Sequence, residues 1–134
     1  MKLPMNRSFL ISVVDDDESV RESLESLLKS LGFEVEAFSG AEEFLEAKQV
    51  SMTDCLILDV ALNGMSGPEL QRHLKEVHRS IPIIFITGHG TEALRARVVA
   101  DGAVDCLMKP FSEEGLLSAV KRALSLPSEP LQAT

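Results

Sequence analysis

Basic charge is scarce in this chain. Thirteen Lys and Arg stand against 21 Asp and Glu, for a formal net charge of −8 and a pI near 4.8. Unaided binding to nucleic acid or to an anionic membrane surface needs a basic face, so neither is expected of this chain. Proline and glycine are few, six and eight in 134 residues, and 45% of the residues are hydrophobic, which excludes a disordered or low-complexity chain. Only two cysteines occur, Cys55 and Cys106, each inside an apolar run. They read as core thiols in a reducing compartment, not as a disulfide frame or a metal pair. No apolar run is long enough to span a membrane. The run Phe9 to Val14 follows Lys2 and Arg7 but is shorter than a signal core and ends in aspartates, so the expectation is a cytoplasmic protein.

What is present is one domain's worth of chain with a regular alternation. Short β-rich runs at Phe9–Val14, Glu34–Phe38, Cys55–Leu58, Ile83–Ile86 and Val104–Met108 are separated by helical patterns. Strands that alternate with helices call for a parallel sheet with right-handed crossovers and helices on both faces, an α/β/α three-layer (βα)5 arrangement. The first helix carries Val20, Leu24, Leu27, Leu28 and Leu31 at helical spacing and stops at Gly32. Ser39 with Glu42 predicts a capping box for a second helix, and Ser66 with Pro68 and Glu69 predicts one for a third, which shows Leu70, Leu74 and Val77. Thr91 caps a fourth segment with a thin stripe, Leu94 and Val98, and Ser112 caps a fifth with Leu116, Leu117, Val120 and Leu124. The globular part runs over residues 8–125. The remainder, 126–134, contains two prolines and reads as a linker or tail.

In an open parallel sheet the ligand site lies beyond the carboxyl ends of the strands. The first strand ends in Asp15, Asp16 and Asp17, the third in Asp59, the fourth in Thr87, and the fifth in Lys109. Three adjacent aspartates repel one another and resist burial without a cation. Hard carboxylate oxygens suit magnesium, which takes one or two carboxylates together with water and phosphate oxygens. With Asp15 and Asp16 holding the metal, Asp59 can act as a nucleophile towards phosphorus, while Thr87 and Lys109 bind phosphoryl oxygens. Asp17 reads as the N-cap of the first helix, and His89, His73 and His78 as surface groups.

These motifs, "VVDDD", "LILDVALNGMSG", "FITGHG" and "MKPF", in this order, resemble a bacterial response-regulator receiver domain. The likeness is to the nitrogen-fixation and quorum-type regulators and covers about Ser8 to Leu124. The resemblance implies a flavodoxin-like doubly wound sheet of order 2-1-3-4-5 and a two-component phosphorelay function. A sensor histidine kinase or phosphotransfer protein would deliver a phosphoryl group to Asp59. It further implies magnesium, with manganese as a substitute, held by Asp15, Asp16, Asp59 and the backbone carbonyl of Ala61, with Asp16 touching it directly and Asp15 through water. A cis peptide before Pro110 and a homodimer through the face of helix 4, strand 5 and helix 5 are also implied. Two positions depart from the pattern: Cys106 stands where a switching aromatic is usual, and Asn63-Gly64 follow the acceptor where proline is frequent, which predicts a more mobile loop.

Other function classes carry specific requirements. An aspartyl phosphatase needs a second acid two residues after the nucleophile, and Ala61 stands there. A flavin-binding protein needs a phosphate loop that "DDDES" cannot supply. A phosphate-independent binding module would have no use for the five strand-end groups. The expectation is a signalling domain, not an enzyme acting on a separate substrate.

Overall fold

The computed structural model describes residues 8–125; the linker expected at 126–134 lies outside the described residues. Five strands, β1 (Leu10–Val14), β2 (Glu34–Phe38), β3 (Cys55–Asp59), β4 (Ile83–Thr87) and β5 (Asp105–Met108), alternate with five helices. These are α1 (Glu18–Ser30), α2 (Ala41–Glu46), α3 (Gly67–Glu76), α4 (Glu92–Ala100) and α5 (Glu113–Ala123). All strand pairs are parallel, in the order β2-β1-β3-β4-β5. The chain winds outwards from β1 to β2 and then returns across β1 to β3. The crevice where that direction reverses opens at the carboxyl ends of β1 and β3.

Side chains of the three central strands are buried on both faces, as their unbroken apolar runs require. Alternation sends Ile11, Val13, Ile57, Ile84 and Ile86 to one face, where Leu24 and Leu28 of α1 and Leu116 and Val120 of α5 cover them. Val14, Leu56, Leu58 and Phe85 face the other way, onto Phe44 of α2, Leu70 and Leu74 of α3 and Val98 of α4. The two cysteines fall on opposite faces and both are free thiols.

Several caps are as expected. The Asp17 side chain accepts from Ser19 N–H, Ser66 and Glu69 close a capping box, and Thr91 and Ser112 each accept from the residue three ahead. The cap of α2 differs from the expectation. Ala41 is fully buried and is the first helical residue, so Gly40 is the N-cap and the reach-back position is Glu43, not Glu42. Glu43 Oε1 accepts from Ser39 N–H at 2.7 Å and from its hydroxyl at 2.9 Å. Val77 also departs: it caps the carboxyl end of α3 and is 47% exposed, because the helix stops one residue short of a third inward turn. A 3-10 turn at Lys48–Met52, unmarked by any periodicity, leads into β3 and buries Val50. The thin stripe of α4 is real, with Val98 as its buried residue, and the helix gains a polar tie where Gln71 Nε2 donates to Val98 O at 3.2 Å.

Candidate functional site

Asp15, Asp59, Thr87 and Lys109 each arrive at the crevice because their strand's apolar run stops there. Asp15 follows β1, completely buried, and its N–H still donates to Phe38 O of β2. Asp59 and Thr87 are the last residues of β3 and β4, 4% and 3% exposed. Lys109 follows β5, and its N–H donates to Thr87 O at 2.8 Å, which aligns the two residues. The Lys109–Pro110 peptide is cis, as the resemblance implied.

The cation that three crowded carboxylates demand is in part supplied by the protein itself. Lys109 Nζ lies 2.9 Å from Asp15 Oδ2 and 3.3 Å from Asp59 Oδ2. Burial disfavours the ammonium, but the Asp15 hydrogen bond and both nearby carboxylates outweigh it and raise the Lys109 pKa. For Asp59 the balance goes the other way: burial, then the charge of Asp15, push its carboxyl up, against the Ala61 N–H and Lys109. One ammonium does not neutralise the group. Oxygen atoms of Asp15, Asp16 and Asp59 lie within 4.8 Å of one another, an all-oxygen donor set with Asp16 exposed to solvent. Such a set fits a hard divalent cation and offers no nitrogen or sulfur for a softer one.

Further residues shape the site without a recognisable motif. Arg21 of α1 donates from Nη1 to the Asp15 carbonyl at 2.7 Å, fixing the backbone that carries the acid pair. Ala61 N–H donates to Asp59 Oδ1 at 3.1 Å and orients the carboxylate. Gly67 starts α3 against β3, where a Cβ would collide with the Asp59 carbonyl and stand 2.9 Å from the Phe85 ring. Glu42 reaches across from α2, and its Oε2 accepts the Met65 N–H at 2.8 Å, tying the loop after Asp59 to α2. The Thr87 hydroxyl accepts from His89 N–H, while His89 itself is exposed. Beside Lys109 runs an open groove of about 540 Å3, lined by Val20, Leu24, Leu27, Pro110 and Phe111.

A doubly wound parallel sheet with an acid cluster, a hydroxyl and a lysine at its switch point defines a class built to handle a phosphoryl group and a divalent cation. Residues 11–121 match the response regulator receiver domain family, and the chain belongs to it. It is 48% identical over 121 residues to the response regulator protein TodT of Pseudomonas putida, covering 90% of this chain and 53% of TodT. Among solved structures it is similar to the response regulator StyR, with 46% identity and a TM-score of 0.82 over 89% of this chain and 60% of that one. It is also similar to a BeF3-activated DrrB receiver domain, with 33% identity and a TM-score of 0.79 over 89% and 99% of the two chains. The chain spans about half the length of the curated relatives it matches. It is thus a receiver domain of the two-component response-regulator type, a signalling domain whose family works with histidine kinases or phosphotransfer proteins. Among the described residues no helix is long and apolar enough to cross a membrane.

Proposed function

We propose that residues 8–125 take a phosphoryl group onto Asp59 from a kinase or phosphotransfer phosphohistidine, and that the acyl phosphate switches the exposed α4–β5–α5 face. The carrying observation is the convergence of Asp59 with Lys109 at 3.3 Å and with the Asp15–Asp16 pair within 4.8 Å. In the transfer a carboxylate oxygen of Asp59 attacks phosphorus as the N–P bond of the donor imidazole breaks, and the imidazole takes up a proton. Lys109 leaves its bridge between Asp15 and Asp59 to bind a phosphoryl oxygen, and the Thr87 hydroxyl donates to another. Asp15, Asp16, Asp59 and the Ala61 carbonyl would hold magnesium or manganese. When bound, that cation supplies the positive charge that offsets both the carboxylates and the phosphoryl oxygens. Hydrolysis of the acyl phosphate later returns Asp59 and releases phosphate.

The donor surface has to cover the rim for its phosphorus to reach Asp59, and the apolar groove beside Lys109 supports docking of a helical donor on α1. On the output side, Val99 of α4, beside Arg95, Asp105 and Arg122, and Met108 at the carboxyl end of β5 are 41% and 49% exposed, which supports a homodimer through this face. Residues 126–134 would serve as the linker or tail of this domain, with the phosphorelay in the cytoplasm. In this reading the chain acts on itself and has no separate substrate.

Asp59→Asn tests the acceptor, because the amide is nearly isosteric and a poor nucleophile. With acetyl phosphate and magnesium, wild type gains the mass of one phosphoryl group and the variant gains none, while both keep the same far-UV circular dichroism. Full labelling of Asp59→Asn removes Asp59 from this role.

A further inference from the structure

The loop from β3 to α3 is anchored near both ends by backbone, Val60 N–H to Ile86 O at 3.0 Å and Gly67 N–H to Val60 O at 3.1 Å. Between these points the chain adopts neither strand nor helix. The grip on this stretch from elsewhere in the fold is Glu42, 23 residues upstream, whose Oε2 accepts the Met65 N–H at 2.8 Å. Gly64 closes on the same carboxylate. Its φ is +76°, which favours glycine, and a Cβ there would stand 2.7 Å from Glu42 Oε2 and press on the carboxylate that holds Met65.

Glu42 is free for this contact because Glu43, not Glu42, takes the bonds from Ser39 at the start of α2. The side chain is exposed, and an exposed glutamate gives up rotamer freedom to stay folded onto a loop. What offsets that loss is a hydrogen bond between an ionised carboxylate and a backbone N–H, the stronger kind. The Glu42 carboxyl accordingly sits below the usual range, chiefly through Met65 N–H.

We propose that Glu42 is a positioning residue for phosphoryl transfer: by holding Gly64 and Met65 it sets the course of the loop and so the Ala61 peptide. The Ala61 N–H orients Asp59 Oδ1 at 3.1 Å, and its carbonyl is the backbone donor assigned to the metal. Reacting groups tolerate little misplacement, so a tether on the far side of the loop is felt at the acceptor. Leu62 and Met65 are half-buried against the α2–α3–α4 core, which gives the loop a second hold and limits the effect to one of degree.

Three readouts on the full chain test this, with Glu42→Ala, Glu42→Gln and Glu42→Asp beside wild type. They are hydrogen exchange at the Met65 amide in metal-free protein, the magnesium Kd by calorimetry, and the rate of phosphoryl uptake from acetyl phosphate by intact mass. Calorimetry is the choice because the chain has no Trp or Tyr to report binding. Glu42→Ala is expected to speed Met65 exchange, weaken magnesium about fivefold and slow uptake by a similar factor. Glu42→Gln, whose neutral amide oxygen accepts the same N–H more weakly, is expected to fall between wild type and Glu42→Ala in all three readouts. Faster exchange with wild-type Kd and uptake would make the tether merely structural and overturn the proposal, as would unchanged exchange. Should Glu42→Ala fail to fold, Glu42→Asp, one methylene short of Met65, decides: loss in all three readouts supports the tether and wild-type values refute it. Because this assignment rests on Asp59 as acceptor, wild type that takes up no phosphoryl group would fail that reading, while exchange and Kd would still judge Glu42.

Discussion

Asp59 and Asp105 are both buried aspartates on strands of the same sheet, 4% and 8% exposed, and their surroundings are opposite. Asp105 opens β5 and is surrounded by donors: Arg95 Nη2 at 2.9 Å, Arg122 Nη2 at 2.9 Å and the Cys106 N–H at 2.7 Å. Two guanidinium groups serve one carboxylate. Burial works against its ionisation, but the Arg122 hydrogen bond, the Cys106 N–H and the Arg95 charge hold the Asp105 pKa below the usual range. At the other end of the sheet three carboxylates share one ammonium, and Asp59 is pushed up by burial and Asp15. The same residue type thus closes a stable ion cluster in one place and carries only partly relieved repulsion in the other. Such repulsion is what a divalent cation can act on, and in the proposed function its cost in stability is the condition for switching.

The largest expected effect comes from removing the rim's own cation. Lys109→Met leaves the fully buried Asp15 facing Asp59 with no ammonium between them and should destabilise the metal-free protein by about 2 kcal/mol, less than a wholly buried pair because Lys109 is partly exposed. Magnesium should restore part of that loss, measured as urea midpoints with and without the ion. A variant as stable as wild type without metal would mean that the acids do not strain the fold.

Breaking the satisfied cluster should cost less. Asp105→Asn is expected to lose about 1 kcal/mol, since both arginines are half exposed and regain water. Its pH signature separates it from the rim. The lowered pKa of Asp105 gives stability that is present above the unfolded value near 3.8 and lost as pH falls through the folded value. The raised pKa of Asp59 does the reverse: its ionised form costs stability above 3.8, and that cost disappears as pH falls through the folded value. Urea titrations from acid to neutral pH should therefore show a shallower acid loss for Asp105→Asn than for wild type, and a steeper one for Asp59→Asn. Parallel curves for all three proteins would erase the distinction between the two sites.

How far the sequence discloses this contrast depends on how local each feature is. Strand ends were legible because apolar runs break at Asp15, Asp59, Thr87 and Lys109, and capping at Ser66, Thr91 and Ser112 follows from three-residue spacings. The strand order rested on the resemblance, since alternation alone is compatible with other parallel orders. At α2 the spacing points to Ser39, and burial of Ala41, which no local pattern announces, moves the N-cap to Gly40. That one-residue shift also hid Glu42, whose partner lies 23 residues away. Arg21 escaped for a similar reason, because it binds a backbone carbonyl and leaves no side-chain pattern to match. The Asp105 cluster was invisible because Arg95 and Arg122 come together only once α4 and α5 flank β5.

The claim that the acidic rim is held in repulsion awaiting a cation is tested most directly by thermal melts of wild type and Asp16→Asn with and without magnesium. Asp16 is exposed and its removal deletes one charge from the crowd without opening the core. Metal-free Asp16→Asn should melt at or above wild type, and magnesium should raise the wild-type melting temperature while leaving the variant nearly unmoved. A metal-free variant that melts below wild type, or equal magnesium shifts in the two proteins, would contradict the account.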